Sequence, residues 1–173
     1  MELFLSSESK LGFTEATSTA DLQAIETMAR VIIPEVYGGY VPLYHCQFFI
    51  EQFQILSALE RQLQQGYAYF LLQAEGENYG YFAYIIHKDR VHLSKLYLLA
   101  SARGKGLGQL AMDVTFTVAK NVGINKIDLI VNRENAGAIA FYKRNGFQIA
   151  DSIETDFGNG TLVKDYRMEN TMR

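Results

Sequence analysis

A glycine-rich junction between an apolar run and a helical stretch constrains the fold of this chain more than any other segment. Residues 96–100 read LYLLA, and residues 103–108 read RGKGLG, with three glycines and two cations in six positions. The stretch that follows carries apolar residues at helical spacing, which predicts a helix from about 106 to 122. A strand is therefore connected to a helix by a turn that is rich in glycine and positive charge.

The first hundred residues divide into a helical part and a part with a strand pattern. Ser18 and Asp21 resemble a capping box for a first helix, which Pro34 ends. Ser57 and Glu60 resemble a second capping box that restarts the next helical segment. The predicted elements are a strand at 11–15, helical segments at about 21–33 and 45–65, and three antiparallel strands between 67 and 99.

The last third of the chain alternates helices and strands. After the helix at 106–122 we predict a strand at 126–132, a helix that ends at Gly146, and a final hairpin around 158–160. The full order is strand, two helices, three strands, helix, strand, helix and two strands. It predicts a single α/β (α+β) domain over residues 1–173, with a mixed, mostly antiparallel sheet of about seven strands flanked by helices.

Length and composition limit the class of protein. A chain of 173 residues is long enough for one domain that buries roughly 70% of its unfolded surface. Cys46 is the only cysteine, which excludes an internal disulfide and any metal site with several cysteines, and fits a reducing cytoplasm. No apolar stretch approaches the ~18 residues of a membrane span, and no basic leader precedes the first apolar residues. We expect a cytoplasmic protein that does not bind a membrane. The net charge of −3 argues against nucleic acid as a partner.

The glycine-rich junction is suited to binding an anion. The first turn of a helix has backbone N–H groups without an intrahelical acceptor, and glycines let a ligand approach the backbone. Arg103 and Lys105 add formal positive charge, so a phosphate or pyrophosphate is the implied ligand. Two known phosphate loops do not match, because Gln109 follows Gly108 and the glycine spacing differs from the dinucleotide fingerprint. A surface turn with incidental basic residues is the alternative.

Two motifs resemble the GNAT family of acetyl-CoA-dependent N-acetyltransferases. The first, LSKLYLLASARGKGLGQLAM at 93–112, contains Arg-x-x-Gly-x-Gly and is similar to the core strand, pyrophosphate loop and helix of that family. The second, VNRENAGAIAFYKRNGF at 131–147, is similar to its signature Asn-x-x-Ala/Gly-x-x-Phe-Tyr-x-x-x-Gly-Phe. Both motifs stand in the order and at the separation of the family, and the predicted elements extend the resemblance over nearly the whole chain.

The resemblance implies acetyl-CoA as acetyl donor and a set of residues that bind it. The loop amides would hold the pyrophosphate, and the strand before the loop would pair with the pantetheine arm. A bulge at Ser94–Lys95 would let that arm enter; a lysine with a solvated tip on a sheet edge is the alternative. The implied coenzyme-binding residues are Leu96, Leu98, Arg103, Gly104, Lys105, Gly106, Leu107, Gly108, Asn135 and Tyr142.

Tyr142 is the residue that we expect to act in catalysis. Attack of an amine on a thioester expels a thiolate, which needs a proton. A phenol with a pKa of about 10 stays protonated at neutral pH and can supply it. The alternative is that Tyr142 only packs in the core. For Asn135, the alternative is that it only caps its helix.

A base for the attacking amine is not evident from the sequence. Many GNAT members place a glutamate on the strand that reads HLSKLYL here, and this strand has no acidic residue. The possible bases elsewhere are Glu35, His45, Glu51, His92 and Glu134. Glu35, Tyr37 and Tyr40 lie where the family shapes its acceptor pocket, so they are the predicted ligands of a cationic amine. The alternative is a loop with buried tyrosine rings.

These observations leave three functions. The first is acetyl transfer from acetyl-CoA to a primary amine of a small molecule or peptide, by direct attack in a ternary complex. The second is a module that binds acetyl-CoA without catalysis, as the missing strand glutamate would suggest. The third is a protein that binds a nucleotide phosphate. Pairing of two copies through the last strands, as in members of the family, is an alternative to a monomer.

Overall fold

A seven-stranded sheet with helices on both faces forms the fold in the computed structural model, which describes residues 10–156 and 160–173. The strands are β1 (Leu11–Glu15), β2 (Ala68–Ala74), β3 (Glu77–Ile86), β4 (Val91–Leu98), β5 (Lys126–Asn132), β6 (Gln148–Asp156) and β7 (Leu162–Thr171). The helices are α1 (Thr19–Tyr37), α2 (Leu43–Phe53), α3 (Leu56–Gln64), α4 (Leu107–Asn121) and α5 (Ala136–Arg144). The strand order is β1-β2-β3-β4-β5-β7-β6, and β4–β5 is its parallel pair. The predicted sheet is confirmed.

Helix α1 begins as the sequence predicts and ends later. The Ser18 hydroxyl accepts from the Asp21 N–H at 3.2 Å, and the Asp21 carboxylate accepts from the Ser18 N–H at 3.0 Å. The predicted end at Pro34 is wrong, because the helix continues to Tyr37 with Pro34 inside it. A proline in the last turn forfeits one hydrogen bond but already has a helical φ. Its carbonyl accepts from the Gly38 N–H at 2.8 Å.

The next helical segment is divided at a different residue from the one predicted. Helix α3 begins at Leu56, after Ile55, so Ser57 and Glu60 are not its capping box. The Leu56 N–H donates instead to Glu26 Oε2 of α1 at 2.7 Å. A carboxylate from another helix thus satisfies an N–H group that a capping side chain usually binds.

Two apolar cores lie on opposite faces of the sheet. Side chains alternate along β2, so Tyr69 and Leu71 pack towards α1–α3 while Phe70 and Leu72 pack towards α4 and α5. The central strands are therefore buried on both faces, which explains their near-continuous apolar sequence.

Strands β4 and β5 diverge, and this divergence creates the site. They pair only through residues 91–93 and 127–129. On the other edge of β4, Ala83 pairs with Lys95 and Tyr84 pairs with Leu93, so Ser94 is an extra residue in β4. This β-bulge lies at the predicted position. The final hairpin is also present as β6 and β7, but residues 158 and 159 of its predicted turn lie outside the described residues.

Candidate active site

A cleft of about 870 Å³ opens where β4 and β5 diverge. It brings together most of the predicted site residues: Glu35, Tyr37, Tyr40, Leu96, Leu98, Arg103, Gly104, Gly106, Gly108, Asn135 and Tyr142. Leu107 instead buries its side chain in the core, with 1% exposed, and Lys105 is exposed on the loop beside the cleft. Residues that are more than a hundred positions apart in sequence thus share one cavity.

The glycine loop at one end of the cleft has the geometry of an anion site. Gly104 and Gly106 have φ of 75° and 92°, in the left-handed region that favours glycine. Gly106 is the N-cap of α4 and provides no capping side chain, so the N–H groups of the first turn remain for a ligand.

The free edge of β4 continues from this loop. Leu96 and Leu98 pair with β3 on one side, opposite Phe82 and Gly80. The side that faces β5 is unpaired beyond Leu93. An extended ligand with amide groups can therefore add to β4 like a further strand.

Arg103 connects the loop to the end of α1. Its Nη1 lies 2.9 Å from Glu35 Oε1, and its Nη2 donates to the carbonyl of Leu98 at 3.1 Å. Glu35 is predicted as an acceptor ligand, and its carboxylate contacts Arg103 of the glycine loop. Because the two side chains are 44% and 37% exposed, the ion pair contributes little to stability.

Helix α5 positions Asn135 and Tyr142. Asn135 is its N-cap, and the Asn135 Oδ1 accepts from the Ala138 N–H at 3.1 Å. Tyr142 lies two turns further on, is 8% exposed and lines the cleft. Burial, together with the nearby Tyr37, raises the pKa of Tyr142 above its usual range. The phenol is therefore protonated throughout the physiological range and can act as a proton donor.

Tyr97 is a site residue that the sequence analysis missed. Its hydroxyl lies 3.2 Å from the Tyr37 hydroxyl, and both residues line the cleft. Burial raises the pKa of Tyr97 and of Tyr37. Tyr97 lies between Leu96 and Leu98. Because side chains alternate along a strand, this position predicts that its side chain lies on the opposite face of the sheet from theirs.

Most of the possible bases lie away from the cleft. His92 Nδ1 lies 2.8 Å from Asp128 Oδ1, a pairing between β4 and β5. Glu51 accepts from Gln47 on the exposed side of α2. His45 lines a second, smaller cavity, and Glu134 is exposed before α5. Within residues 10–156 and 160–173, Glu35 is the one carboxylate that lines the large cleft.

Lys95 is buried, so the alternative of a solvated tip is wrong. It is 7% exposed, and its Nζ lies 2.5 Å from both Gln62 Oε1 and the Tyr69 hydroxyl. Burial lowers the pKa of Lys95 to about 7. The described residues hold no group of three or more potential metal ligands, and none of the helices described is long and apolar enough to cross a membrane.

Comparison with known proteins decides the family. A model of the acetyltransferase (GNAT) family matches residues 34–147, which include β4, the glycine loop and Tyr142. The chain belongs to the GNAT family. The resemblance carried by the two sequence motifs is thereby confirmed.

Relatives of this GNAT protein are N-acetyltransferases by name. It is 26% identical over 145 residues to the spermidine N(1)-acetyltransferase of Thermoplasma acidophilum, which covers 81% of this chain and 90% of that protein. It is 31% identical over 79 residues to the peptidyl-lysine N-acetyltransferase YjaB of Salmonella typhimurium, 46% of this chain and 48% of that protein. The chain thus spans about half the length of the second relative.

Solved structures confirm the fold. The PaiA N-acetyltransferase from Thermoplasma acidophilum, in complex with coenzyme A, has a TM-score of 0.78 at 22% identity and covers 94% of this chain and 99% of that chain. The ribosomal-protein-S18-alanine N-acetyltransferase from Escherichia coli has a TM-score of 0.71 at 16% identity and covers 94% of each chain.

Proposed function

We propose that this protein is an N-acetyltransferase that moves an acetyl group from acetyl-CoA to a primary amine of a small molecule or peptide. The amine attacks directly within a ternary complex. The observation that carries the proposal is one cleft that joins the glycine loop, the free edge of β4 and the phenol of Tyr142. Family membership supports it, as do relatives named for spermidine and for peptidyl-lysine.

The cleft residues fit coenzyme A from one end to the other. The loop amides of residues 104–108 would hold the pyrophosphate, and Lys105 would add charge at the open side. The backbone of Leu96 and Leu98 would pair with the pantetheine arm along the edge that β5 leaves free. The coenzyme supplies an acetyl thioester, and it would lie between the β-bulge at Ser94 and Tyr142, since both residues line the cleft.

Tyr142 would donate its hydroxyl proton to the sulfur as the carbon–sulfur bond breaks. The raised pKa keeps that proton on the oxygen before reaction. Tyr37 and Tyr40, which also line the cleft, would contact the acceptor amine.

A thermal-shift titration tests the coenzyme site. We expect acetyl-CoA and coenzyme A to raise the melting temperature, since a ligand at a hundredfold excess over Kd stabilises by about 2.7 kcal/mol. ATP and NAD should not. Gly106→Glu should abolish the shift, because it puts a carboxylate at the pyrophosphate position. Gly123→Glu is the matched control, with a similar positive φ at the other end of α4 and open space around its Cβ.

A module that binds acetyl-CoA without catalysis is the second candidate. One observation favours it, because the Glu35 carboxylate that lines the cleft is paired with Arg103. A free-thiol assay with acetyl-CoA and a panel of amines separates the two functions. Release of coenzyme A that depends on an amine supports the enzyme; coenzyme binding without transfer to any amine supports the module. A shift with ATP equal to that with acetyl-CoA would instead favour a nucleotide-binding protein.

Self-association is proposed through the last strands. β6 is an edge strand of the sheet, and Ile149 on it is exposed. An edge strand can pair with a second copy. Light scattering decides between a dimer and a monomer, and we propose the cytoplasm as the compartment in which either form acts.

A further inference from the structure

The large cleft reaches both faces of the sheet. Phe141 and Tyr142 of α5 line it and pack in the core on one face, whereas Val36 and Tyr37 of α1 line it and pack in the core on the other. The glycine loop lies on the α5 side, because Leu107 at its end packs in the same core as Tyr142. A coenzyme bound at the loop thus leaves the α1 side of the cleft for a second reactant.

Tyr97 of β4 belongs to the α1 side of the cleft. Its side chain packs in the same core as Tyr37, on the opposite face of the sheet from Leu96 and Leu98. The Tyr97 hydroxyl lies 3.2 Å from the Tyr37 hydroxyl, and the two rings meet edge to face with their centroids 6.4 Å apart. Both residues line the cleft. Two phenols from different elements therefore form one hydroxyl pair on the side opposite the coenzyme loop.

Neighbouring rings hold this hydroxyl pair in position. The centroid of the Tyr81 ring lies 5.6 Å from that of Tyr97, and the Tyr81 hydroxyl donates to Oε1 of the buried Gln54 at 2.8 Å. Phe49 of α2 packs against Tyr37, with their ring centroids 6.3 Å apart. Because packing fixes both rings, the two hydroxyls are positioned before a ligand binds.

The hydroxyl pair has unused hydrogen-bonding capacity. One hydroxyl donates to the other, and among the described residues neither makes a further hydrogen bond to the protein. One hydroxyl proton and lone pairs on both oxygens therefore remain available. Burial raises the pKa of Tyr37 and of Tyr97, so both phenols stay neutral and cannot act as a base. A neutral phenol oxygen can instead accept a hydrogen bond from an N–H group, most strongly when its own proton is donated.

Given the acetyltransferase function proposed above, we propose that the hydroxyl pair of Tyr37 and Tyr97 binds the acceptor amine by accepting a hydrogen bond from its nitrogen. The N–H bond that points to the phenols is directed away from the coenzyme. The lone pair of the nitrogen can then face the thioester carbon on the other side of the cleft. The pair positions the amine and exchanges no proton with it, while Tyr142 supplies the proton for the thiolate.

The Tyr97→Phe variant tests this role, with spermidine and a lysine-containing peptide as acceptor probes. The change removes one hydroxyl and keeps the ring. We expect the KM of the amine to rise roughly tenfold, the effect of one lost hydrogen bond. The kcat should change less than about threefold, because a contact made before and during the attack contributes equally to both states.

Acetyl-CoA affinity separates this role from a structural one. Tyr97 lies between Leu96 and Leu98, so a displaced β4 would also weaken the proposed pairing with the coenzyme. We expect the affinity for acetyl-CoA, measured by calorimetry, to stay within about twofold in Tyr97→Phe.

Tyr81→Phe is the matched control. It removes a hydroxyl from the adjacent ring, which is buried and does not line the cleft. Loss of the hydrogen bond to Gln54 should lower the melting temperature and leave the KM of the amine unchanged.

Each outcome supports or contradicts one proposal. If the wild type acetylates a probe and Tyr97→Phe keeps the KM of the amine within about twofold, the role of the pair is wrong and the enzyme function stands. If Tyr97→Phe also weakens acetyl-CoA binding more than about threefold, Tyr37→Phe decides, because it removes the other hydroxyl and leaves β4 unchanged. A rise of about tenfold in the KM of the amine then supports the pair, and an unchanged KM contradicts it. If the wild type binds acetyl-CoA but acetylates neither probe, the enzyme function fails, and the role of the pair fails with it.

Discussion

The two ends of the cleft are assembled in different ways. The coenzyme end is one continuous segment, from the bulge at Ser94 through the free edge of β4 to Gly108. The proposed acceptor end collects single residues from separate elements, among them Tyr37 of α1, Tyr40 between α1 and α2, and Val131 of β5. A site on one continuous segment can be predicted from the spacing of its residues in the sequence. A site made of residues from separate elements can be identified only in the folded structure.

Replacement of Tyr142, the proposed proton donor, should have the largest effect. We expect Tyr142→Phe to lower kcat roughly 100- to 1,000-fold, because the departing thiolate loses its proton donor. The change removes one hydroxyl, so acetyl-CoA affinity should stay nearly constant. Steady-state kinetics and calorimetry measure the two quantities.

Tyr166→Phe provides the control for this variant. Tyr166 is a partly buried tyrosine of β7 that does not line the cleft, so its activity should equal that of the wild type. Full turnover in Tyr142→Phe would contradict the proton-donor role and leave Tyr142 as a packing residue.

Gly80→Ala should lower the stability of the protein and weaken binding at the coenzyme end of the cleft. Gly80 pairs with Leu98, and an added Cβ would collide with the carbonyl oxygen of Tyr97 and approach Leu98 Cδ2 to 2.6 Å. We expect a loss of roughly 2–3 kcal/mol in the free energy of unfolding, as for an overpacked core. Displacement of β4 should also weaken acetyl-CoA binding, measured by calorimetry below the melting temperature. Unchanged affinity would show that β4 does not position the coenzyme.

Gly76→Ala is the comparison for this stability measurement. Gly76 lies in the turn before β3, the strand that contains Gly80. It has a φ of 84°, and an added Cβ would meet open space. It should lose about 1 kcal/mol from backbone strain alone, without any effect on the coenzyme.

The accuracy of the sequence analysis follows the same division. The Ser94 bulge, the glycine loop and the helix of Tyr142 were all predicted, because each depends on residues close in sequence. The start of α3 was not, since its N–H acceptor is Glu26 from another helix, 30 residues away. The predicted end of α1 at Pro34 was wrong, because a proline in the last turn of a helix lowers stability little once the preceding turns are buried.

The burial of Lys95 was likewise not predicted, because it depends on residues that are distant in sequence. The bulge at Ser94 turns its side chain towards Tyr69 and Gln62, which come from β2 and α3. A lysine with a solvated tip was the alternative in the sequence analysis, whereas contacts with Tyr69 of β2 and Gln62 of α3 bury Lys95.

Lys95→Met should stabilise the protein at neutral pH by roughly 2 kcal/mol, because burial disfavours the charged lysine and replacement of buried ionic groups by apolar side chains can gain about this much. The Tyr69 hydroxyl keeps its hydrogen bond to Gln62 Oε1 at 2.6 Å. Burial lowers the pKa of Lys95 to about 7, so between pH 7 and its ordinary pKa the unfolded chain holds a proton that the folded chain lacks. Wild-type stability should therefore rise with pH above 7, and Lys95→Met should lose this rise.

Denaturation at pH 7 and pH 9 measures this effect below the range in which tyrosines of the unfolded chain ionise. Lys120→Met, at an exposed lysine of α4, should show the wild-type dependence on pH. Identical slopes in wild type and Lys95→Met would mean that Lys95 is charged in the folded protein.

Glu35→Gln should have the smallest effect, and it decides to which end of the cleft this residue belongs. Loss of a half-exposed ion pair should change the free energy of unfolding by less than about 1 kcal/mol. Arg103, freed from Glu35, gains access to the coenzyme phosphates, so acetyl-CoA should bind equally well or up to about threefold more tightly, most clearly at low salt. The KM of the amine should not change, because the structure places the Glu35 carboxylate against the coenzyme loop. A tenfold rise in that KM with unchanged acetyl-CoA affinity would instead make Glu35 an acceptor ligand together with Tyr37 of the same helix.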